Sequence, residues 1–411
     1  MKIKNILRAV LLMILFGGCA TTTTTGPGIE PEVTPKVEQV PDEPIDVIFA
    51  GFAFLGDCRE NEKLYPFISR LAERATCPDT SYQELNKELF KAAEKINNPN
   101  FKLKLTGGAD LKKGETVSLA FAVSSEKTRI QGFRGKFFVH YEVYAQGLVF
   151  DFSPDVMKVI ATYPVRVQYS DMLNEKPSDA YSLGIFRKIL LDPGFKSNIV
   201  NRWVDRMNSV NIKESFGNYI KVAKVDVPAE TLQFVPDNMS GKGGFATQTA
   251  QFLETSLSAN QLVPVVPYAE GESIGKMRVL FTGNTIYDLK LPEPDYGIFL
   301  KVRPFKKFVV DKKNYSQITY GSFIDVKLRH IDLDETHMEA SFRHVPMATI
   351  DKTAGVKLND WDEFLKSLQG LLDQFTKQIS ERNSDWIENA TRTENVKSQF
   401  GGFMSVLSNV R

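Results

Sequence analysis

Between residues 45 and 382 the chain writes one pattern of elements twice: a strand, helices, a set of antiparallel strands, then packing helices. Few folds are open to such a chain, because each sheet must bury a face under the helices that accompany it. The first copy begins at Ile45 with IDVIFAGFAFLG, a continuous apolar run that fits a buried strand over 47–54. Helices are expected over 64–74 and 82–96, the second carrying Leu85, Leu89, Ala92 and Ala93 at helical spacing. Strands rich in β-branched and aromatic residues follow at 117–123, 136–150 and 156–167, and helices at 179–191 and 197–210 close the unit. The second copy has a strand at 219–227, a loop ending Ser240-Gly241-Lys242-Gly243-Gly244, a helix over 245–259 and strands at 297–302, 323–332 and 339–348. Its last helix, 359–379, buries a stripe of Trp361, Phe364, Leu365, Leu368, Leu372 and Phe375. Little residue identity links the copies, so the repeat is one of pattern. The expected class is α+β or α/β: a first module over 45–215, a second over 216–382, each a mixed or antiparallel sheet packed by helices, and a tail over 383–411.

Ahead of the modules stand three positive residues, Lys2, Lys4 and Arg8, an apolar run from Ala9 to Phe16, and Gly17-Gly18-Cys19. This is secretory-signal architecture, too short to span a bilayer as a mature helix. It resembles a bacterial lipoprotein leader with its lipobox, although Phe16 stands at the usual leucine position. The resemblance implies removal of residues 1–18 and lipidation of Cys19 with a diacylglycerol thioether and a palmitate-type amino-terminal acyl chain. Three chains anchor far better than one. Ala20 is not the aspartate associated with inner-membrane retention, so the expected location is the outer membrane, facing the periplasm. Residues 19–44 are rich in threonine and proline and hold no aromatic, which predicts a disordered tether. Beyond Cys19 no apolar run approaches the ~18 residues of a membrane span.

The formal net charge is +1; removal of the three leader cations leaves about −2, which gives no bulk field for nucleic acid. Besides Cys19 the cysteines are Cys58 and Cys77. In an oxidising compartment this even pair reads as a disulfide closing a loop of about 20 residues, worth roughly 3 kcal/mol in the chain-entropy model. Two buried free thiols are the alternative.

Within the second copy, IKVAKVDV, ATQTAQFLETSLSANQLVPVVPY, DYGIFLKVRPFKKF and FIDVKLRHIDLDETHMEASF resemble the α/β module of the curli secretion-channel lipoprotein family and the TolB amino-terminal domain. The likeness covers about residues 219–350. It includes an acidic-aromatic-glycine step at Asp295-Tyr296-Gly297 and a hairpin pattern on Val326, Leu328, Arg329 and Asp332. It implies a periplasmic module used for protein contacts in envelope assemblies. The inserted membrane-spanning hairpins of the secretion channel have no counterpart, so pore formation is not implied.

Candidate chemistry is sparse. His330, His337 and His344 are evenly spaced, but a hairpin turning near 334–336 would set His330 against residues near 339 and His344 against residues near 325. One metal ion could not be liganded by all three. The glycine-rich loop lacks the Walker pattern, since Lys242 is followed by Gly243-Gly244 and not by Ser or Thr. No catalytic motif gives grounds for naming an enzyme, and no cofactor is expected. The densest basic stretch holds Lys301, Arg303, Lys306 and Lys307, and it suits either a solvated edge strand or a surface for an anionic partner. The tail carries Trp386, Phe400 and Phe403 around Gly401-Gly402; it either packs back on the body or docks on a partner. The expected role is a non-catalytic scaffold or accessory subunit of an envelope secretion or surface-structure assembly, with protein partners and a possible homo-oligomer. The rival is a periplasmic ligand-binding or hydrolytic lipoprotein with a cleft between the modules.

Overall fold

The computed structural model describes residues 44–55, 61–71, 82–105, 117–133, 135–152, 157–213, 217–240, 244–268, 273–278, 286–351 and 358–410. The leader, Cys19, the tether through residue 43, Cys58, Cys77 and loop residues 241–243 lie outside the described residues. The first part of the body contains β1 (Ile45–Phe54), α1 (Asn61–Leu64), α2 (Gln83–Ala93), β2 (Phe101–Lys104), β3 (Val117–Phe133), β4 (Lys136–Phe152), β5 (Met157–Leu173), α3 (Asp179–Leu191) and α4 (Ile199–Met207). The second contains β6 (Ile220–Asp226), α5 (Ala229–Leu232), α6 (Asp237–Ser240), α7 (Gly244–Gln261), β7 (Ser273–Arg278), β8 (Ile286–Lys290), β9 (Tyr296–Asp311) and β10 (Tyr315–His330). It continues through β11 (Thr336–His344), β12 (Met347–Asp351), α8 (Asp360–Glu381), α9 (Ser384–Ala390) and α10 (Val396–Val410).

Two mixed sheets result, in an α+β arrangement. One runs β2-β1-β3-β4-β5-β8-β7, the other β11-β10-β9-β6 with β12 beside β10. The twofold pattern of the sequence reappears as strand order. β1 is parallel to β3 and β6 to β9, and each pair leads into an antiparallel meander, β3-β4-β5 or β9-β10-β11. The hairpin β7–β8, although it lies in the second copy, joins the first sheet beside β5. Segment 263–266 stitches the sheets together: the Val265 amide donates to the Thr162 carbonyl of β5 at 3.2 Å, and the Val266 amide to that of Ile220 in β6 at 2.9 Å.

Each sheet has its own core. Trp203, Met207 and Phe186 from α3 and α4 pack with Val139, Tyr141 and Val143 of β4. In the second sheet Ile298, Leu300, Val302, Ile324, Val326 and Leu328 alternate inward against Phe252 and Leu253 of α7 and Leu368 and Phe375 of α8. Asn359 caps α8, its side chain accepting from the Trp361 amide at 3.0 Å, and the acidic residues Asp360, Asp362 and Glu363 fill the first turn.

Three expectations need correction. Over its described part, 64–71, the expected helix is only the end of α1 followed by a 3₁₀ turn at Ser69–Leu71, because Pro66 lacks the amide a continuing helix requires. The strands expected to stop at 123, 167 and 302 run on to 133, 173 and 311. The strand over 339–348 is two, β11 and β12, divided at Pro346, whose carbonyl still accepts from the Tyr320 amide at 3.0 Å.

Candidate functional site

On β3, β4 and β5 the residues opposite the helix-covered core form a polar face. Cross-strand register sets Lys127, Glu142 and Gln168 in one row, with Arg129, His140 and Ser170 in the next. Glu142 is fully buried. Its Oε1 lies 2.5 Å from Arg166 Nε and accepts from Gln168 Nε2 and the Tyr144 hydroxyl, each at 2.9 Å. Arg129 stands 4.0 Å from Glu142 and 3.7 Å from Asp362 at the start of α8. Arg166 in turn lies over the Phe252 ring of α7, 4.7 Å from its centroid. Burial, with Arg129 and Arg166 nearby, pushes the Lys127 ammonium down to about 8 against the pull of Glu142. Burial, then the Arg129 charge, pushes His140 down to about 4, so its ring is neutral and meets the Ser170 hydroxyl at 2.7 Å. Beside this cluster a cleft of about 630 Å³ opens between the far ends of β3–β5 and the first turns of α8.

The second feature is the outer face of the second sheet. Alternation places Lys301, Arg303 and Lys306 of β9, Lys327 and Arg329 of β10, and Arg343 of β11 there, against Asp325 and Glu339 on the same strands. Arg303, Phe323 and Arg343 form a single cross-strand row, with Arg303 and Lys306 over the Phe323 ring at 5.6 and 5.7 Å. Arg392 joins them around an open groove of about 670 Å³. Part of this charge is matched: Arg303 lies 3.2 Å from Asp325, Lys327 3.0 Å from Glu339, and Arg329 2.6 Å from Asp334. Past Lys301 no described strand pairs with the outer edge of β9. There β9, β10 and β12 form an arm on which Phe308 and Met347 are 59% and 60% exposed, in one row across Thr319.

The candidate residues from the sequence divide accordingly. Lys301, Arg303 and Lys306 share the basic face, whereas Lys307 points the other way and binds both oxygens of Asp360 at 2.8 Å. Phe400 and Phe403 are fully buried in α10 against Phe375 and so are core side chains, not surface contacts. Trp386 stacks on Phe342 with ring centroids 5.9 Å apart. The tail therefore packs back on the body as α9 and α10. His330 sits across from Glu335, to whose carbonyl its amide donates at 2.8 Å, not across from 339, and His344 pairs with Ser322. His330 and His337 both meet the edge of Tyr296, and among the described residues no three potential ligands gather for a metal.

Sequence reasoning missed Lys127, Arg129, His140, Glu142, Arg166 and Gln168. Their signal is the polar half of an alternation, H-Y-E within the predicted strand 136–150 and R-V-Q-Y-S running past the predicted end at 167; E-K-T-R, past the predicted end at 123, is polar throughout.

No family model matches the chain, and no curated protein matches it. The curli-lipoprotein and TolB resemblance thus finds no support in these comparisons. Among solved structures, a minor lipoprotein from Acinetobacter baumannii matches 43% of this chain and 98% of its own at 8% identity, with a TM-score of 0.21. A likeness of that size carries no argument about fold or function.

Proposed function

We propose that the protein is a lipid-anchored, non-catalytic scaffold of the bacterial outer membrane. Cys19 carries the lipid, the Thr/Pro-rich tether spaces the body from the bilayer, and the body faces the periplasm. Its partner is an acidic protein of an envelope secretion or surface-structure assembly, held on the outer face of the second sheet. The observation that supports this is the gathering of six basic side chains against two acidic ones on three neighbouring strands, beside an arm with exposed Phe308 and Met347. Charge of one sign steers a partner and fixes its register, and the exposed apolar stripe gives it area to cover. Among the described residues no helix is long and apolar enough to cross a membrane, so in this reading the anchor is the lipid.

Metabolic labelling with an alkyne palmitate analogue and membrane fractionation test the anchor. The expected result is label in the outer-membrane fraction, abolished by Cys19→Ser; label elsewhere, or none, contradicts it. A second reading, a ligand-binding protein, is favoured by one observation, the cleft beside Arg129. The two readings use opposite sides of the second sheet and do not compete.

A further inference from the structure

We propose that the cleft between β3–β5 and the start of α8 binds a small monocarboxylate with an apolar body, its head seated at Arg129. This rests on the ligand-binding reading and is independent of the scaffold. The cleft, at about 630 Å³, has the size of small-molecule sites, and its walls include Ile130, Phe138, Met172, Leu358 and Leu365. These side chains supply an apolar channel.

The head group follows from charge. Three cations, Lys127, Arg129 and Arg166, face the cluster from the sheet, against the carboxylates of Glu142 from the same sheet and Asp362 from α8. Lys366 and Glu363 at the rim pair with each other at 2.7 Å, and His140 is neutral. Over this cluster one positive charge remains uncompensated, and of its three cations Arg129 is the one that lines the cleft, which suits a monoanion seated there. Arg129 reaches its two carboxylates only at 4.0 and 3.7 Å, well beyond the ~2.7–2.9 Å of a charge-assisted hydrogen bond, so its guanidinium N–H groups are left to donate to a closer oxygen pair.

The wall adds donors. Among the buried polar atoms without a partner are Trp361 Nε1 and Gln369 Nε2, both on residues that line this cleft. An indole N–H can only donate, and buried donors are as a rule paired. A carboxylate supplies an acceptor for a donor on this wall; an ammonium or amide-only ligand does not answer the same charge.

The test is calorimetric titration of the full-length protein, held by its anchor in phosphatidylcholine nanodiscs, with octanoate and with its neutral counterpart octanamide. Empty nanodiscs supply the blank. Octanoate is expected to bind at one site per chain, and octanamide at least about tenfold more weakly. Arg129→Gln should bring octanoate down to the octanamide level while leaving octanamide unchanged. Ile130→Trp, a change at a partly exposed wall position that leaves the charge cluster intact, should abolish both. Equal affinities for the two probes would overturn the carboxylate assignment while leaving the ligand-binding reading in place. Binding of neither probe would overturn both, and octanoate binding that survives Ile130→Trp would place the site elsewhere and overturn the proposal.

Discussion

Glu254 on α7 accepts a hydrogen bond from the Tyr268 amide at 2.5 Å, yet burial pushes its carboxyl from 4.5 up to about 8, and the amide and Lys221 offset only part of that. The folded value is the higher one, so the folded chain holds this proton more tightly than the unfolded chain does. The stability it contributes is fully present below about pH 4.5 and is lost as pH rises through about 8. Glu126, buried and accepting from the Phe67 and Ile68 amides, is pushed up to about 7 by the same cause and acts with the same sign. Glu254→Gln keeps an acceptor for Tyr268 and removes one titration. Melting curves should show the variant more stable than wild type at about pH 8.5, by on the order of 5 °C, and less steeply pH-dependent between about pH 5 and 8. Equal slopes would refute the assignment. Glu142 has the opposite importance: it is the anion around which Lys127, Arg129 and Arg166 collect. Glu142→Gln leaves those cations without their central charge and should cost about 3–5 kcal/mol in urea unfolding.

At the scale of elements, α10 shows how a glycine pair can read as a break and serve as a contact. A Cβ at Gly402 would lie 2.7 Å from the His337 carbonyl oxygen of β11, while one at Gly401 would meet nothing closer than Arg382 Nη2 at 3.9 Å. Gly402→Ala should therefore destabilise by about 1–3 kcal/mol, and Gly401→Ala should be neutral or stabilise by up to ~1 kcal/mol, as thermal denaturation of the two variants can decide. Phe400→Ala in the same helix opens a cavity and should cost about 3–5 kcal/mol. Elements with a local signal were legible: α3 spans Asp179–Leu191 as expected, with Ser178 accepting from the Tyr181 amide, and α8 buries the stripe read from its sequence. Elements defined by long-range pairing were less so. The second half of β3, from Ser124 to Phe133, is almost wholly polar, which reads locally as a loop, and only pairing along β4 makes it a strand. The joining of β8 to β5 through Met157↔Leu289 and Lys158↔Lys290 has no local signature at all.

For the whole molecule, two similar sheets in one body leave two kinds of surface. The polar face of the first sheet is turned against α7 and α8, where Glu142 is fully buried and Arg129 and Arg166 are partly covered; the corresponding face of the second sheet is open and basic. Half of that basic face, Lys301, Arg303 and Lys306, was legible as a run in the sequence, because neighbours along one strand are neighbours in the text. Lys327, Arg329 and Arg343 were not, because strand register alone brings them alongside. The central claim is that this face holds an acidic envelope protein, and residue-specific photo-crosslinking tests it most directly. A photoreactive amino acid would replace Lys301 or, in separate chains, exposed Lys95 just past α2, with the protein in its native envelope and the adducts identified by mass spectrometry. The account predicts one recurrent acidic partner captured from position 301 and not from 95, diminished by added salt and lost when Arg303→Glu, Lys327→Glu and Arg343→Glu are combined in a chain that still melts cooperatively. Capture that is the same from both positions, or that survives the three charge reversals, would contradict it.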